Sequence, residues 1–310
     1  MTCEYPVWAW GAFAIVVVAM LALDLGVFNR KAHVVPLRKA VAWCVVWFAL
    51  AMGFNAFVWH EHGARAGAQW LASYLVELGL SVDNVFVFLV VFSYFKVSAE
   101  HQRRVLLWGI VGAALMRAVF ILAGLRLIGR FEWVLMVFGA FLIFTGARLA
   151  LPGKGRGVQP GKNIVMRLFR GIFPMSPEYA GGNFFTRIDG RLVATPLFFV
   201  LLVIETTDVM FAIDSIPAVL GITKAPFIAL TSNIFAVLGL RSLYFAVSGA
   251  MGRFRFLNYG LAVILVFIGV KMLVEDWYRA GMGLSLGVIG GTLAAAVLAS
   301  ALFPEKKAGE

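Results

Sequence analysis

Apolar runs of about 20 residues, each long enough to cross a bilayer core as a helix, recur along this chain between short charged stretches. That spacing limits the fold more than any other feature. Barrel spans would need alternating segments of about ten residues, and the sequence holds none. At 62% hydrophobic and 14% charged, the 310 residues are also too apolar for an ordinary soluble domain. The expected fold is an all-α polytopic membrane protein forming a single transmembrane domain.

The runs predict nine spans: 7–28, 37–59, 71–95, 105–128, 131–151, 192–219, 225–248, 257–274 and 284–303. Nineteen of the 27 Lys and Arg fall after spans one, three, five and seven or in the C-terminal tail. Five fall in the other connections, and Arg117, Arg241 and Lys271 lie inside spans. Basic residues collect on the cytoplasmic side, so the N-terminus is expected outside and the C-terminus inside a bacterial-type inner membrane. The formal charge of +11 then serves orientation, and no nucleic-acid partner is expected. Glu4 stands where a basic n-region would precede the first run, so no cleaved signal peptide is expected. Cys3 and Cys44 are the only cysteines and belong near opposite faces, which excludes a disulfide framework or a thiolate zinc site. The nine Trp residues, mostly at span ends, read as interfacial anchors.

The longest connection, 152–191, is the candidate cytoplasmic subdomain. Residues 164–173 suit a short basic amphipathic helix on the inner leaflet, and Asp189-Gly190 suits a hairpin turn within 184–194. A tether whose charge only sets topology is the competing reading.

Two stretches repeat one pattern. Glu77-x5-Asp83-Asn84 and Asp208-x5-Asp214-Ser215 each set an acid, five residues, an Asp and a small oxygen-bearing side chain inside an apolar span. The similarity extends further: Arg117 of span four corresponds to Arg241 of span seven, and Gly146 and Arg148 of span five to Gly269 and Lys271 of span eight. Spans three to five (about 71–151) therefore echo spans six to eight (about 192–274), leaving 7–28, 37–59 and 284–303 outside the repeat. Copies three helices apart enter the membrane from opposite sides, which is an inverted-topology repeat. Such repeats hold a substrate near the midplane and expose it to each side in turn.

Asp24, Glu77, Asp83, Glu205, Asp208 and Asp214 lie within the spans. Each costs about 2.5–3.5 kcal/mol near a helix centre unless something compensates it. Arg117, Arg241 and Lys271 suit charge balance, but three bases cannot neutralise six acids, so the remainder call for a cation or protons. Carboxylate, amide and hydroxyl oxygens, with no His or Cys in either motif, suit Mn²⁺, Mg²⁺ or Ca²⁺ rather than Cu⁺ or Zn²⁺. The candidate ligands are Glu77, Asp83, Asn84, Asp208, Asp214 and Ser215, with Asp24 and Glu205 as further members; a structural ion pair is an even alternative for Asp24. On an ideal helix these side chains do not share one face, so local unwinding at Gly79 and Pro217 is expected. Asn55 and Asn233 suit interhelical hydrogen-bond donors.

The residues Glu77-Leu-Gly-Leu-Ser-Val-Asp83-Asn84, Glu205-Thr-Thr-Asp208-Val-Met-Phe-Ala-Ile-Asp214-Ser215-Ile-Pro217 and Thr231-Ser-Asn233 through Arg241 resemble the TerC family of integral membrane proteins, most closely its Alx subgroup. Asp24-Leu-Gly-Val-Phe and Phe267-Ile-Gly-Val-Lys271 are similar too. The resemblance implies a manganese exporter related to the LysE superfamily, with Mn²⁺ as transported ion, the motif acids as its ligands and no permanently bound cofactor. Protons are a suitable counter-ion, because carboxylates that release a metal can take them up. A membrane partner that hands metal to exported proteins, or acts in tellurite or stress resistance, is the alternative. An intramembrane aspartyl hydrolase would need two facing Asp residues, and the Gly-x-Gly-Asp context of such proteases is missing.

The charge asymmetry makes an orientation prediction. A fluorescent protein fused to the C-terminus should fluoresce and a phosphatase fused there should be inactive; the opposite pair of results would reverse the topology.

Overall fold

The computed structural model describes residues 5–28, 37–151, 174, 176, 179–188, 191–248, 256–274, 277 and 281–302, and the observations below refer to these. The helices are α1 (Val7–Phe28), α2 (Leu37–Tyr94), α3 (Ala99–Arg130), α4 (Val134–Ala150), α5 (Pro196–Ile222), α6 (Pro226–Leu238), α7 (Leu240–Ser248), α8 (Leu257–Leu273) and α9 (Met282–Leu302). One antiparallel hairpin joins β1 (Phe185–Ile188) to β2 (Arg191–Ala194). By length and composition, α2, α3, α5, the α6–α7 pair and α9 suffice to cross a membrane, while α4, α8 and Val7–Leu23 of α1 are shorter apolar helices. The protein is an all-α membrane protein.

Residues 60–70, expected as a connection, are helical. Gly63 (φ 85°, ψ 169°) alone leaves helical geometry, and a residue without Cβ adopts that φ at little cost. The chain reverses there: Phe54 packs 5.7 Å from Trp70 and Phe48 lies 6.2 Å from Tyr74, ring centre to ring centre. Helix α2 is thus an antiparallel hairpin whose arms contain the expected second and third spans. A single turn residue suffices because Gly67 lets Trp59 approach, a Cβ there falling 2.7 Å from the indole.

The expected unwinding at Gly79 and Pro217 does not occur. Gly79 stays helical, and its bare flank admits Leu261 of α8 and Leu293 of α9, which would lie 2.9 and 3.1 Å from a Cβ. Its role is close packing. Pro217 remains inside α5 with Asp214 through Leu220 buried around it, so tertiary packing holds the helix despite the missing N–H.

Three helix pairs organise the core. The second arm of α2 runs parallel to α6 and α7: Trp70 Nε1 donates to Thr231 Oγ1 at 2.9 Å, and Phe92 meets Tyr244 with ring centres 5.5 Å apart. Helix α3 runs parallel to α5, with Gly109 beside Ile204, Gly112 beside Glu205 and Gly124 beside Leu220. Helices α4 and α8 run antiparallel and almost touch backbone to backbone. A Cβ on Gly269 would lie 2.6 Å from the Gly139 carbonyl, and one on Gly146 would lie 2.8 Å from that of Ala262. Between helices that lipid solvates as well as they solvate each other, such small-residue contacts supply the packing.

Tyr179 and Phe184, just before the hairpin, pack against the end of α2 and the start of α3. Tyr179 OH donates to the Phe95 carbonyl at 2.6 Å, and burial raises the phenol's pKa. His101 stacks on Tyr179, and Arg104 lies 5.5 Å from the centre of the Phe184 ring. The pairing of Ile188 with Arg191 brackets the expected turn. Asp189, Gly190 and the expected helix at 164–173 lie outside the described residues.

The α4–α8 contact should be intolerant of any side chain. Gly269→Ala is expected to destabilise the detergent-purified protein by about 1–3 kcal/mol through overpacking, measured as a lower Tm. Gly129→Ala, on α3 with nothing within 4 Å of the new Cβ, should leave Tm unchanged or raise it.

Candidate functional site

The motif copies meet on one arginine. Arg117 sits near the middle of α3 with no exposed surface. Its Nε and Nη2 donate to Asp208 of α5 at 3.4 and 3.1 Å, a two-point contact on one carboxylate. Its Nη1 ion-pairs with Glu77 of α2 and donates to Asn233 Oδ1 of α6 at 3.0 Å. Four helices are joined through one guanidinium. Glu77 is fully buried and Asp208 is 2% exposed, so water screens neither ion pair.

Local sequence explains why this is possible. Arg117 is far from either end of a 32-residue helix, too deep for its side chain to reach an aqueous interface. A planar guanidinium with five fixed donors can hold two carboxylates at once, which a lysine ammonium does less well. Gly112, on the same helix, leaves the space that the Glu205 carboxylate occupies; a Cβ there would overlap it. Glu205 stands one helical turn before Asp208 and is half-buried.

The remaining predicted residues are placed less completely. Asp214 and Ser215 are buried on α5 and Asn84 on α2. Asn84 Nδ2, Ser215 Oγ and Glu77 Oε2 make no hydrogen bond among the described residues. Asp24 and Asp83 fall on α1 and α2, and their side chains lie outside those described. Arg241 is 2% exposed on α7, whereas Lys271 is half-buried on α8. Among the described residues no three His, Cys, Asp or Glu side chains converge as a metal cage.

Asn233 plays a part that sequence reasoning did not assign, accepting a hydrogen bond from Arg117 rather than donating one between helices. Its position in Thr231-Ser232-Asn233, a polar triplet within an apolar helix, was the available signal. Asn55, its counterpart in that expectation, is buried with Oδ1 unbonded. Trp47 and Trp70 are likewise buried and donate to Ser242 and Thr231.

A buried charge cluster linking long apolar helices defines an integral, multi-pass membrane protein. The profile of the integral membrane protein TerC family matches residues 62–308, and the chain belongs to that family. It is 48% identical over 293 residues to the "Putative membrane-bound redox modulator Alx" of Escherichia coli (strain K12), covering 92% of this chain and 91% of that protein. The Alx protein of Photorhabdus laumondii is 41% identical, with 97% of each chain covered. A membrane protein of Myxococcus xanthus, STKORF319, is 47% identical over 94% of this chain and 91% of its own length. No solved structure matches. Neither the family description nor these names denote an enzyme.

With Glu77 and Asp208 ionised, one positive and two negative charges leave this cluster with a surplus negative charge. Two substitutions should therefore act oppositely. Arg117→Met, which strands both carboxylates, is expected to cost about 3–5 kcal/mol. Glu77→Gln, nearly isosteric and leaving a neutral Arg–Asp pair, should cost little or stabilise, as read by thermal unfolding in detergent.

Proposed function

We propose that this chain is a secondary transporter that exports Mn²⁺, or a similar hard divalent cation, by alternating access, with intramembrane carboxylates as metal ligands. The meeting of Glu77 and Asp208, equivalent positions of the two motif copies, on one buried guanidinium carries this reading. It concentrates acidic side chains from both halves in the middle of long apolar helices, at the energetic cost that ion pathways in membranes characteristically bear. Oxygen-only donors favour manganese over softer metals. The full ligand set in this reading is Glu77, Asp83, Asn84, Asp208, Asp214 and Ser215, with Asp24 and Glu205 as further members. Protons serve as counter-ion, because carboxylates that release a metal can take them up.

The packing supports nine spans with an inverted repeat. The arms of α2 supply spans two and three, and α6 with α7 supplies span seven. Exchanging spans three to five with six to eight turns the parallel α2–α6/α7 pair into the parallel α5–α3 pair and maps the antiparallel α4–α8 pair onto itself. Aligning Gly146 with Gly269 sets Gly139 opposite Ala262, so the contacts Gly139–Gly269 and Gly146–Ala262 also exchange. Self-complementary contacts of this kind mark a two-fold axis. On this reading α4 and α8 cross on the axis about which the halves rock.

A second reading draws on the relatives' name, which describes a modulator and not a carrier. A membrane partner that hands metal to other proteins, or acts in stress resistance, would keep the acids without autonomous flux. Mn²⁺ flux in proteoliposomes separates the two. Wild type should move Mn²⁺, while Asp83→Ala and Asp214→Ala should each slow it by at least about tenfold. Undiminished flux in both variants would sink the ligand assignment, and no flux from wild type would favour the second reading.

A further inference from the structure

This inference rests on the transporter reading and assigns Arg117 a part in its cycle. We propose that Arg117 is a resident counter-cation: the divalent ion displaces its guanidinium from Glu77 and Asp208, and the guanidinium returns when the ion leaves. A purely structural arginine would be expected to saturate its partners, and this one does not. Among the described residues Glu77 Oε2 and Asn233 Nδ2 are buried without a hydrogen bond, so the cluster retains donor and acceptor capacity at its centre.

The displaced guanidinium has somewhere to go. Nη1 already rests on the neutral Asn233 Oδ1, a contact that survives when the carboxylates turn to a metal. Glu205 offers a third carboxylate. It lies on the same face of α5 as Asp208, one turn earlier, in the space left by Gly112, and Gly112 precedes Arg117 on α3 by about 7.5 Å of helix rise. In the loaded state the divalent ion takes the place of the guanidinium between Glu77 and Asp208, and Arg117 rests on Glu205 and Asn233, which assigns Glu205 to the arginine instead of the metal.

Displacement divides the transport cycle. Ion-for-ion exchange reorients the site only while it is loaded, so it never carries bare carboxylates through the apolar interior. Net efflux requires the empty site to reorient, and there Arg117 shields the pair. Arg117 should therefore matter more for net efflux than for exchange.

Reconstituted protein tests this by comparing net Mn²⁺ efflux with counterflow of radiolabelled Mn²⁺. In Arg117→Gln the ratio of net efflux to counterflow should fall at least about tenfold, since two bare carboxylates oppose the empty step. In Arg117→Lys it should fall less, about threefold, because one ammonium cannot span both carboxylates. Residual counterflow proves each variant folded. An unchanged ratio in either variant, or equal loss of both modes in monodisperse Arg117→Gln, overturns the proposal. Should Arg117→Gln fail to fold, the Lys ratio decides. Absence of both modes in wild type would instead mean that the transporter reading has failed.

Discussion

One guanidinium sits between Glu77 and Asp208 away from water, and the helices that carry these three residues must hold position around it. An isolated charge at that depth would cost several kcal/mol, and each of the three compensates the others only while four helices hold position. Helix α3 carries the cation, α2 and α5 carry the anions, and α6 contributes the neutral oxygen of Asn233.

Close helix approach makes that arrangement possible. In a membrane the apolar effect does little to bring helices together, so packing must come from shape. Gly109, Gly112 and Gly124 give α3 a smooth flank against α5, which brings Arg117 within reach of Asp208. Gly139, Gly146 and Gly269 do the same for α4 and α8, where backbone meets backbone. The polar contacts between α2 and the α6–α7 pair, from Trp47 to Ser242 and Trp70 to Thr231, add direction to surfaces that are otherwise featureless.

Much of this was legible in the chain. Apolar run length located most helices, because satisfying the backbone in lipid leaves few alternatives to helix. Asp189-Gly190 announced the hairpin that Ile188 and Arg191 close. Where the reading went astray, local geometry was asked to decide a tertiary question. Ideal helix angles scatter the motif acids, which suggested unwinding at Gly79 and Pro217. The acids Glu77 and Asp208 instead converge because separate helices bring them to a long, branched donor, so neither helix has to break. Gly79 is bare for the sake of Leu261 and Leu293, residues 182 and 214 positions away, and no local pattern could have said so.

The sequence by itself determined that the chain is a bundle of apolar helices, that acids recur within it at matched positions, and that its charged loops are unevenly distributed. Those properties follow from composition and spacing, which act within a segment or between a segment and lipid. Tertiary structure alone decided that Arg117 serves both motif copies, that Asn233 is its acceptor, and that Trp70 is buried with its indole N–H on Thr231. The physical reason is reach: a guanidinium can bind any carboxylate within a few ångströms, and only helix packing determines which ones come that close.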